Sequence, residues 1–352
     1  MLFPDGVDHL PRLAQPVDRG LALNGLALAY KLSGQPARSA PLYRRAAAIA
    51  SQTNRNDNLA VGLSNLSGVL RTSGQLRASE SAARRALTLM REETNRWQEA
   101  IILRWFGETL AARGDAGNSA LSLDRSLRIF TSIDEYDGFT LSDLAQRAVW
   151  FGEYTAAGHL ANRAWNSATQ YGSFERAFIL AARLQGETAL ALNDFAKADE
   201  RLHHALTRAR AVNHVEEEIP TLIALAELRR RQGDRKAARE LLDDLWDPAE
   251  RGPYPLLHSD AFNVMAQIER DEGNHTAASE AATKAYRLAW CDGPPFAYHW
   301  GLVAAQKHLQ ELGAPEPVMP PFDESKCEPM PEVEIDPQDE FHENSPQEAG
   351  SK

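Results

Sequence analysis

The chain has 352 residues, a net charge of −11 and two cysteines. It is long for one compact core, and its cysteines, Cys291 and Cys327, are too far apart in sequence for a disulfide framework or a zinc motif. The first residues lack the basic and apolar regions of a secretory signal, and no apolar run is long enough to span a bilayer. We therefore expect a cytoplasmic protein with no membrane segment.

Acidic residues are concentrated at the C-terminal end. The segment from Ala314 to Lys352 contains eleven Asp and Glu residues against two lysines, so it carries most of the net charge of −11. The preceding part of the chain is nearly neutral and has no excess of the basic residues that bind a phosphate backbone. We expect no nucleic acid partner.

A turn residue recurs about every forty residues. Glycine fills seven of the eight positions, and asparagine, which also tolerates a left-handed backbone, fills the other. The positions are Gly34, Gly74, Gly114, Gly152, Asn193, Gly233, Gly273 and Gly313. Such a fixed interval predicts a stack of similar units rather than a single globular core.

Each turn residue lies between two amphipathic segments. Before Gly34, the apolar side chains of Leu23, Ala27 and Tyr30 share one helical face, and Tyr43 begins a similar pattern after the turn. The pattern recurs at every later turn. The sequence therefore predicts an all-α, right-handed solenoid of seven helix pairs with a closing helix.

Small residues lie seven positions before most of the turns. They are Ala27, Gly107, Ala145, Gly186, Ala226 and Ala266. We expect the two helices of each pair to approach closely at these positions, because a larger side chain would clash with the partner helix.

The expected domain boundaries are a lead of residues 1–16, a solenoid of residues 17–313 and a tail of residues 314–352. The tail is rich in proline and acidic residues, which favour extended chain. Whether residues 314–336 dock on the last units is left open, and we expect disorder beyond Phe341.

The turn sequences resemble tetratricopeptide repeats, in which a Gly-Asp or Gly-Asn turn is followed by a small residue. The clearest matches are Gly233-Asp234 with Ala238 and Gly273-Asn274 with Ala278. The resemblance extends over residues 17–313. It implies a superhelical scaffold that binds a protein or peptide on its inner surface.

The longer unit of about forty residues and the segment CDGPPFAYHW are similar to the C-terminal sensor repeats of bacterial STAND or NACHT-type ATPases. That family's GxxxxGK[ST] phosphate loop is missing from the sequence, so ATP binding is not carried over. The resemblance implies the sensing module of a bacterial signalling or phage-defence system, whose partner is a separate ATPase or effector subunit.

Motifs that would indicate chemistry are missing from the sequence. The ten histidines form no HExxH, and GxSxG, GxGxxG and CxxC do not occur. We expect no enzymatic activity, no cofactor and no metal.

The predicted binding surface is the inner face of the solenoid, formed by the first helix of each pair. Its residues are Asn24, Arg71, Arg104, Glu108, Gln146, Trp150, Arg183, Glu187, Glu227, Arg230, Asn263, Gln267 and Arg270. Arginine and asparagine donors can hold the carboxylates and carbonyls of an extended peptide, and Trp150 can contact an apolar side chain. Alternatively, these residues only pair with one another, as Arg183 and Glu187 can at a spacing of four.

We predict a protein- or peptide-binding sensor, and two alternatives stay open. The first is a peptide-responsive transcriptional regulator, although the residues before Val17 are too few to form a DNA-binding head. The second is a general assembly scaffold that is autoinhibited by its acidic tail, with the tail lying in the inner channel against the arginines.

Overall fold

The computed structural model describes residues 2–172, 174–249 and 251–337. In this part of the chain there are fifteen α-helices, one short 3-10 helix (Glu324–Lys326) and no strand. The helices are α1 (Pro16–Leu32), α2 (Pro36–Gln52), α3 (Asn56–Thr72), α4 (Leu76–Glu92), α5 (Arg96–Ala112), α6 (Ala116–Ser132), α7 (Gly138–Trp150), α8 (Tyr154–Gln170), α9 (Glu175–Ala191), α10 (Phe195–Ala211), α11 (Val215–Arg231), α12 (Arg235–Ala249), α13 (Pro255–Asp271), α14 (His275–Trp290) and α15 (His299–Glu311).

The eight predicted turn residues all have a left-handed backbone, with φ between 62° and 85°. Each one ends the first helix of a pair, or in the case of Gly313 the closing helix. After α5, for example, Gly114 reverses the chain and the Asp115 carboxylate accepts a hydrogen bond from the Asn118 backbone N at 3.1 Å, which caps α6. The predicted series of helix pairs is therefore confirmed.

A second set of left-handed residues, which the sequence analysis missed, lies between successive pairs. It comprises Asn54, Thr94, Asp134, Gly172, Asn213 and Cys291. The chain therefore reverses about every twenty residues, but these positions share no residue type that would mark them in the sequence.

The predicted close approach within pairs is seen at the two glycines of the small-residue series. A Cβ atom at Gly107 would lie 2.6 Å from Cγ of Leu123 on the partner helix. At Gly186 it would lie 2.6 Å from Cγ of Leu202. Both contacts join helices of one pair, so a side chain at either glycine would push the pair apart.

The helices form two layers. Each odd-numbered helix contacts the next odd-numbered helix, and each even-numbered helix packs mainly on its neighbours in sequence. The odd-numbered helices thus form the continuous inner layer of the superhelix, and the even-numbered helices form the outer layer.

Early and late units of the superhelix meet. The turns that end α1, α3 and α5 press on the N-terminal ends of α11, α13 and α15. A Cβ atom added at Gly34 would lie 2.9 Å from the Val215 side chain. At Gly74 it would lie 2.8 Å from the Pro255 side chain, and at Gly114 it would lie 2.6 Å from the His299 side chain. We call this contact between early turns and late helices the seam.

Hydrogen bonds also cross the seam. The Trp300 indole donates to the carbonyl oxygen of Ala111 at 2.8 Å. The Asp292 carboxylate accepts from the backbone N of Arg77 at 3.0 Å, so a residue near the C-terminal end of the fold caps α4. The first three helix pairs therefore contact the last two pairs and the closing helix, and we call the superhelical turn closed by these contacts the ring.

The described part of the tail, residues 314–337, lies on the outside of this ring. Pro320 accepts a hydrogen bond from the Trp290 indole at 2.9 Å, and Ile335 is 8% exposed in the apolar cluster of the first units. No described tail residue borders the central cavity. For residues 314–337 the alternative of a tail lying in the inner channel is therefore wrong, and the expected disorder beyond Phe341 concerns residues outside the described part.

Candidate functional site

The centre of the ring contains a cavity of about 420 Å³. The inner-layer helices α9 and α11 line it along most of their length. The C-terminal ends of α3, α5 and α7 lie on one side, and residues near the N-terminal ends of α13 and α15 lie on the other. The cavity therefore exists because the seam brings distant units together.

Seven of the thirteen predicted binding residues border this cavity. They are Arg71, Glu108, Gln146, Trp150, Arg183, Glu187 and Glu227. They come from α3, α5, α7, α9 and α11, so the expected polar ladder is continuous over the middle units.

The other six predicted residues lie elsewhere. Arg104 is buried, Asn24 borders a separate cavity of about 40 Å³, and the half-buried Gln267 borders neither cavity. Asn263 donates to the carbonyl oxygen of Gly301 at 3.0 Å and joins α13 to α15. The expected ladder is therefore interrupted at these six positions, none of which borders the central cavity.

The two predicted arginines nearest the C-terminal end of the ladder are already paired. Arg230 contacts Glu227 and Asp271, and Arg270 contacts Glu311. The Arg230–Asp271 pair connects α11 to α13, the Arg270–Glu311 pair connects α13 to α15, and none of these four residues borders the cavity. Their role in the structure is to join successive units.

Arg104 supports the ring from within the inner layer. It forms an ion pair with Asp143 of α7, and both side chains are less than a tenth exposed. Burial is the main cause that raises the pKa of Asp143, and Arg104 opposes it. Because each charge is buried against the other, reversing the charge of Arg104 would destabilise the fold as well as alter the inner surface.

Arg183 lies in the middle of the cavity wall. It contacts Glu187 on its own helix, Glu217 on α11 at 2.8 Å and Gln146 on α7 at 2.9 Å. The pairing of Arg183 with Glu187 expected from their spacing of four is therefore present. Arg183 binds three helices together and has little remaining capacity for a ligand.

A cationic region lies where α9 begins. Arg176 borders the cavity, and its buried Nε has no hydrogen-bond partner among the described residues. Its guanidinium lies 5.6 Å from the ring centroid of Phe139 and makes no ion pair in the described part of the chain. Arg176 therefore keeps its donors available to a ligand.

Lys31 adds positive potential behind this region. It is 6% exposed, and its Nζ lies 4.1 Å from the ring centroid of Trp105. Burial lowers the pKa of Lys31 to about 8, Glu216 opposes that shift, and Arg176 and Arg71 add to it. Arg176 and Arg71 thus lie close enough to disfavour the charge of Lys31, which Glu216 and Glu108 favour, and a further anion there would add to the favourable charges.

Arg176 and the aromatic residues of α15 were missed by the sequence analysis. The cavity also includes Glu216, Asp260, Tyr298 and Trp300, all near the N-terminal ends of late inner helices. The open channel expected from the sequence would expose the middle of each inner helix. Only ring closure brings these helix ends toward the cavity.

Neither a metal-binding cluster nor a membrane-spanning helix is found in residues 2–172, 174–249 and 251–337. This part contains no cluster of three or more His, Cys, Asp or Glu side chains able to hold a metal ion. None of its helices has the length and apolar character needed to cross a bilayer.

Comparison with known proteins agrees with this architecture. A tetratricopeptide repeat family model matches residues 18–92, which span α1 to α4. A comparison with curated proteins gives no match.

Two solved structures share the fold. The apo form of RapI superposes with a TM-score of 0.55 at 13% identity and covers 83% of this chain and 99% of RapI. A Rap protein in complex with competence and sporulation factor gives a TM-score of 0.53 at 10% identity and covers 85% of this chain and 98% of that protein. The chain thus has the fold of a tetratricopeptide-like repeat solenoid.

Proposed function

We propose that this solenoid binds a short peptide in its central cavity and that the peptide's carboxylate contacts Arg176. The observation that carries the proposal is an unpaired guanidinium bordering a cavity of about 420 Å³, with the buried Lys31 nearby. Cavities of roughly 300–1,000 Å³ with a few convergent polar groups are typical ligand sites. A guanidinium binds a carboxylate through two parallel hydrogen bonds.

The lining suits a ligand with apolar side chains as well as charge. Leu180, Leu190, Ile223, Leu257 and Val264 contribute apolar surface to the cavity. The polar groups Gln146 and Thr72 border the same space. An extended peptide offers backbone groups to such polar side chains and apolar side chains to the rest of the wall.

The proposal agrees with what a protein of similar fold does. The Rap protein of comparable architecture was solved in complex with competence and sporulation factor. A ligand in the present cavity would contact both sides of the seam, so it would stabilise the closed ring relative to an open one. We infer on this basis that the chain acts as a sensor, and its sequence resemblance favours a bacterial signalling or defence system.

Equilibrium dialysis against a mixed pool of peptides of three to five residues tests the proposal. The wild-type chain should retain a subset of peptides with free C-termini, measured by mass spectrometry. The Arg176→Glu variant should lose those peptides because it places a carboxylate where the ligand's carboxylate binds.

The matched control is Arg235→Glu, which makes the same change at an exposed position of the outer helix α12. It should retain the same peptides as the wild type. The proposal is wrong if the wild type retains no peptide above the level of a protein-free chamber, or if both variants behave alike.

A further inference from the structure

Three aromatic side chains form one wall of the cavity. Trp150 stacks on Trp300 with a centroid separation of 6.2 Å and an interplanar angle of 14°. Tyr298 packs edge-on against Trp150 at 6.4 Å. The indole of Trp300 is fixed by its hydrogen bond to Ala111 across the seam. All three aromatic residues border the cavity, and the wall is held in place by the closed ring.

A carboxylate adjoins this wall. Asp260 of α13 borders the cavity and accepts a hydrogen bond from the Tyr298 hydroxyl at 2.9 Å. Within the described residues Asp260 has no ion-pair partner. Burial raises the pKa of Asp260 to about 7, the Tyr298 hydrogen bond opposes the shift, and Glu187 adds to it.

The neighbouring charges leave an excess of negative charge. Glu187 and Glu217 both contact Arg183, which is one guanidinium for two carboxylates. Asp260 adds a third carboxylate, and its electrostatic neighbour is Glu187 rather than a cation. This corner of the cavity therefore favours a cationic group, which would offset the excess charge.

We propose that Trp150, Trp300, Tyr298 and Asp260 form a subsite for a positively charged group of the ligand, an ammonium or a guanidinium. Aromatic faces attract cations at centroid distances up to about 6 Å, and the adjacent carboxylate supplies an opposite charge. The inference rests on the proposed function and deepens it: the ligand carries a carboxylate at the Arg176 end and a cation at the aromatic end.

Choline and its uncharged carbon isostere, 3,3-dimethylbutan-1-ol, are suitable probes because they share a shape and differ in charge. We expect choline to shift the indole N–H NMR signals of Trp150 and Trp300 with an affinity about tenfold higher than that of the isostere. Asp260→Asn should reduce that preference severalfold while the affinity for the isostere stays unchanged, since asparagine can still accept the Tyr298 hydrogen bond.

Two further variants test whether the preference for choline depends on the aromatic wall and on Asp260 in particular. Trp150→Leu keeps the carboxylate and removes one ring, so it should weaken choline binding severalfold. Asp243→Asn changes an exposed carboxylate on α12 and should leave the wild-type preference intact. Equal affinity for the two probes, or an unchanged preference in Asp260→Asn, would overturn the proposed subsite.

The peptide experiment and the choline experiment test the two proposals separately. If peptides are retained without enrichment in cationic ones and choline shows no preference, the cation subsite is wrong and peptide binding stands. If choline binds as expected and no peptide is retained, the subsite stands and the peptide proposal is wrong.

Discussion

The charged form of Asp260 is needed for the proposed cation subsite, but it destabilises the folded protein. Its carboxylate lies in the cavity wall with one hydrogen bond and no cation, and burial raises its pKa from 3.8 to about 7. For an acid, a raised pKa in the folded state means that ionisation opposes folding. The destabilisation is absent below the pKa that Asp260 has in the unfolded chain, grows as the pH rises and is complete above about pH 7.

Asp260→Asn should therefore stabilise the protein at pH 8, because asparagine cannot ionise. The gain is at most about 4 kcal/mol, which corresponds to the shift of about three pKa units. At pH 3.5 the gain should largely vanish, since the folded wild type is already protonated there. Urea unfolding of both proteins at the two pH values measures the difference, and an equal effect at both would show that the Asp260 carboxylate is not destabilised by burial.

The sequence could predict which residues of the inner helices are polar, but not which of them lack an ion-pair partner and can contact a ligand. Arg104, Arg176 and Arg183 are all arginines of inner helices. Arg104 and Arg183 are paired by carboxylates from neighbouring helices, whereas Arg176 borders the cavity with an unpaired Nε. The difference depends on contacts between residues more than thirty positions apart, which local periodicity does not encode.

Helix α4 shows how one element joins the tail to the solenoid. Arg77, Arg84 and Arg91 are spaced by seven residues and project along one side of α4 toward the tail. They donate to tail carbonyl oxygens, including that of Ile335 at 2.9 Å. On α6, Arg128 and Arg125 contact the Asp336 carboxylate at 2.6 Å and 2.9 Å. The tail therefore connects the last units to the second and third pairs.

Removal of residues 314–352 should destabilise the protein by about 2–4 kcal/mol. The estimate combines loss of the buried Ile335 side chain with loss of hydrogen bonds to charged arginines. Chemical unfolding monitored by circular dichroism measures the effect. A chain ending at residue 337 keeps every tail contact described above and is the control; equal stability of the two truncated chains would contradict a structural role for the docked tail.

At the level of elements, the sequence predicted the helix pairs well. The turn glycines mark positions where the backbone must be left-handed, and that requirement is local. The second set of reversals was missed because Thr94 and Asp134 adopt a left-handed backbone without being glycine. Docking of the tail could not be decided, because Ile335 gains its burial from helices more than two hundred residues earlier.

Closure of the ring is the property of the whole molecule on which the site depends. The cavity lies between early and late inner helices, and the aromatic wall is fixed by a hydrogen bond across the seam. Closure could not be predicted from the sequence, because the turn glycines all occur in the same sequence pattern. In the structure they differ: an added Cβ atom would meet another unit at Gly34, Gly74 and Gly114, and nothing within 4 Å at Gly152, Gly233, Gly273 and Gly313.

The matched substitutions Gly114→Ala and Gly233→Ala test closure most directly. Their φ values are 79° and 85°, so the backbone strain from alanine should be similar, about 1–2 kcal/mol in each. At Gly114 the added Cβ atom would also lie 2.6 Å from Cγ of His299. That clash should cost about 1–3 kcal/mol more.

The decisive measurement is the free energy of unfolding of these two variants in urea. The closed ring predicts that Gly114→Ala loses at least about 1 kcal/mol more stability than Gly233→Ala. Equal losses would mean that the Gly114 turn does not touch α15 in solution, and the cavity with both of its proposed subsites would then not exist as described.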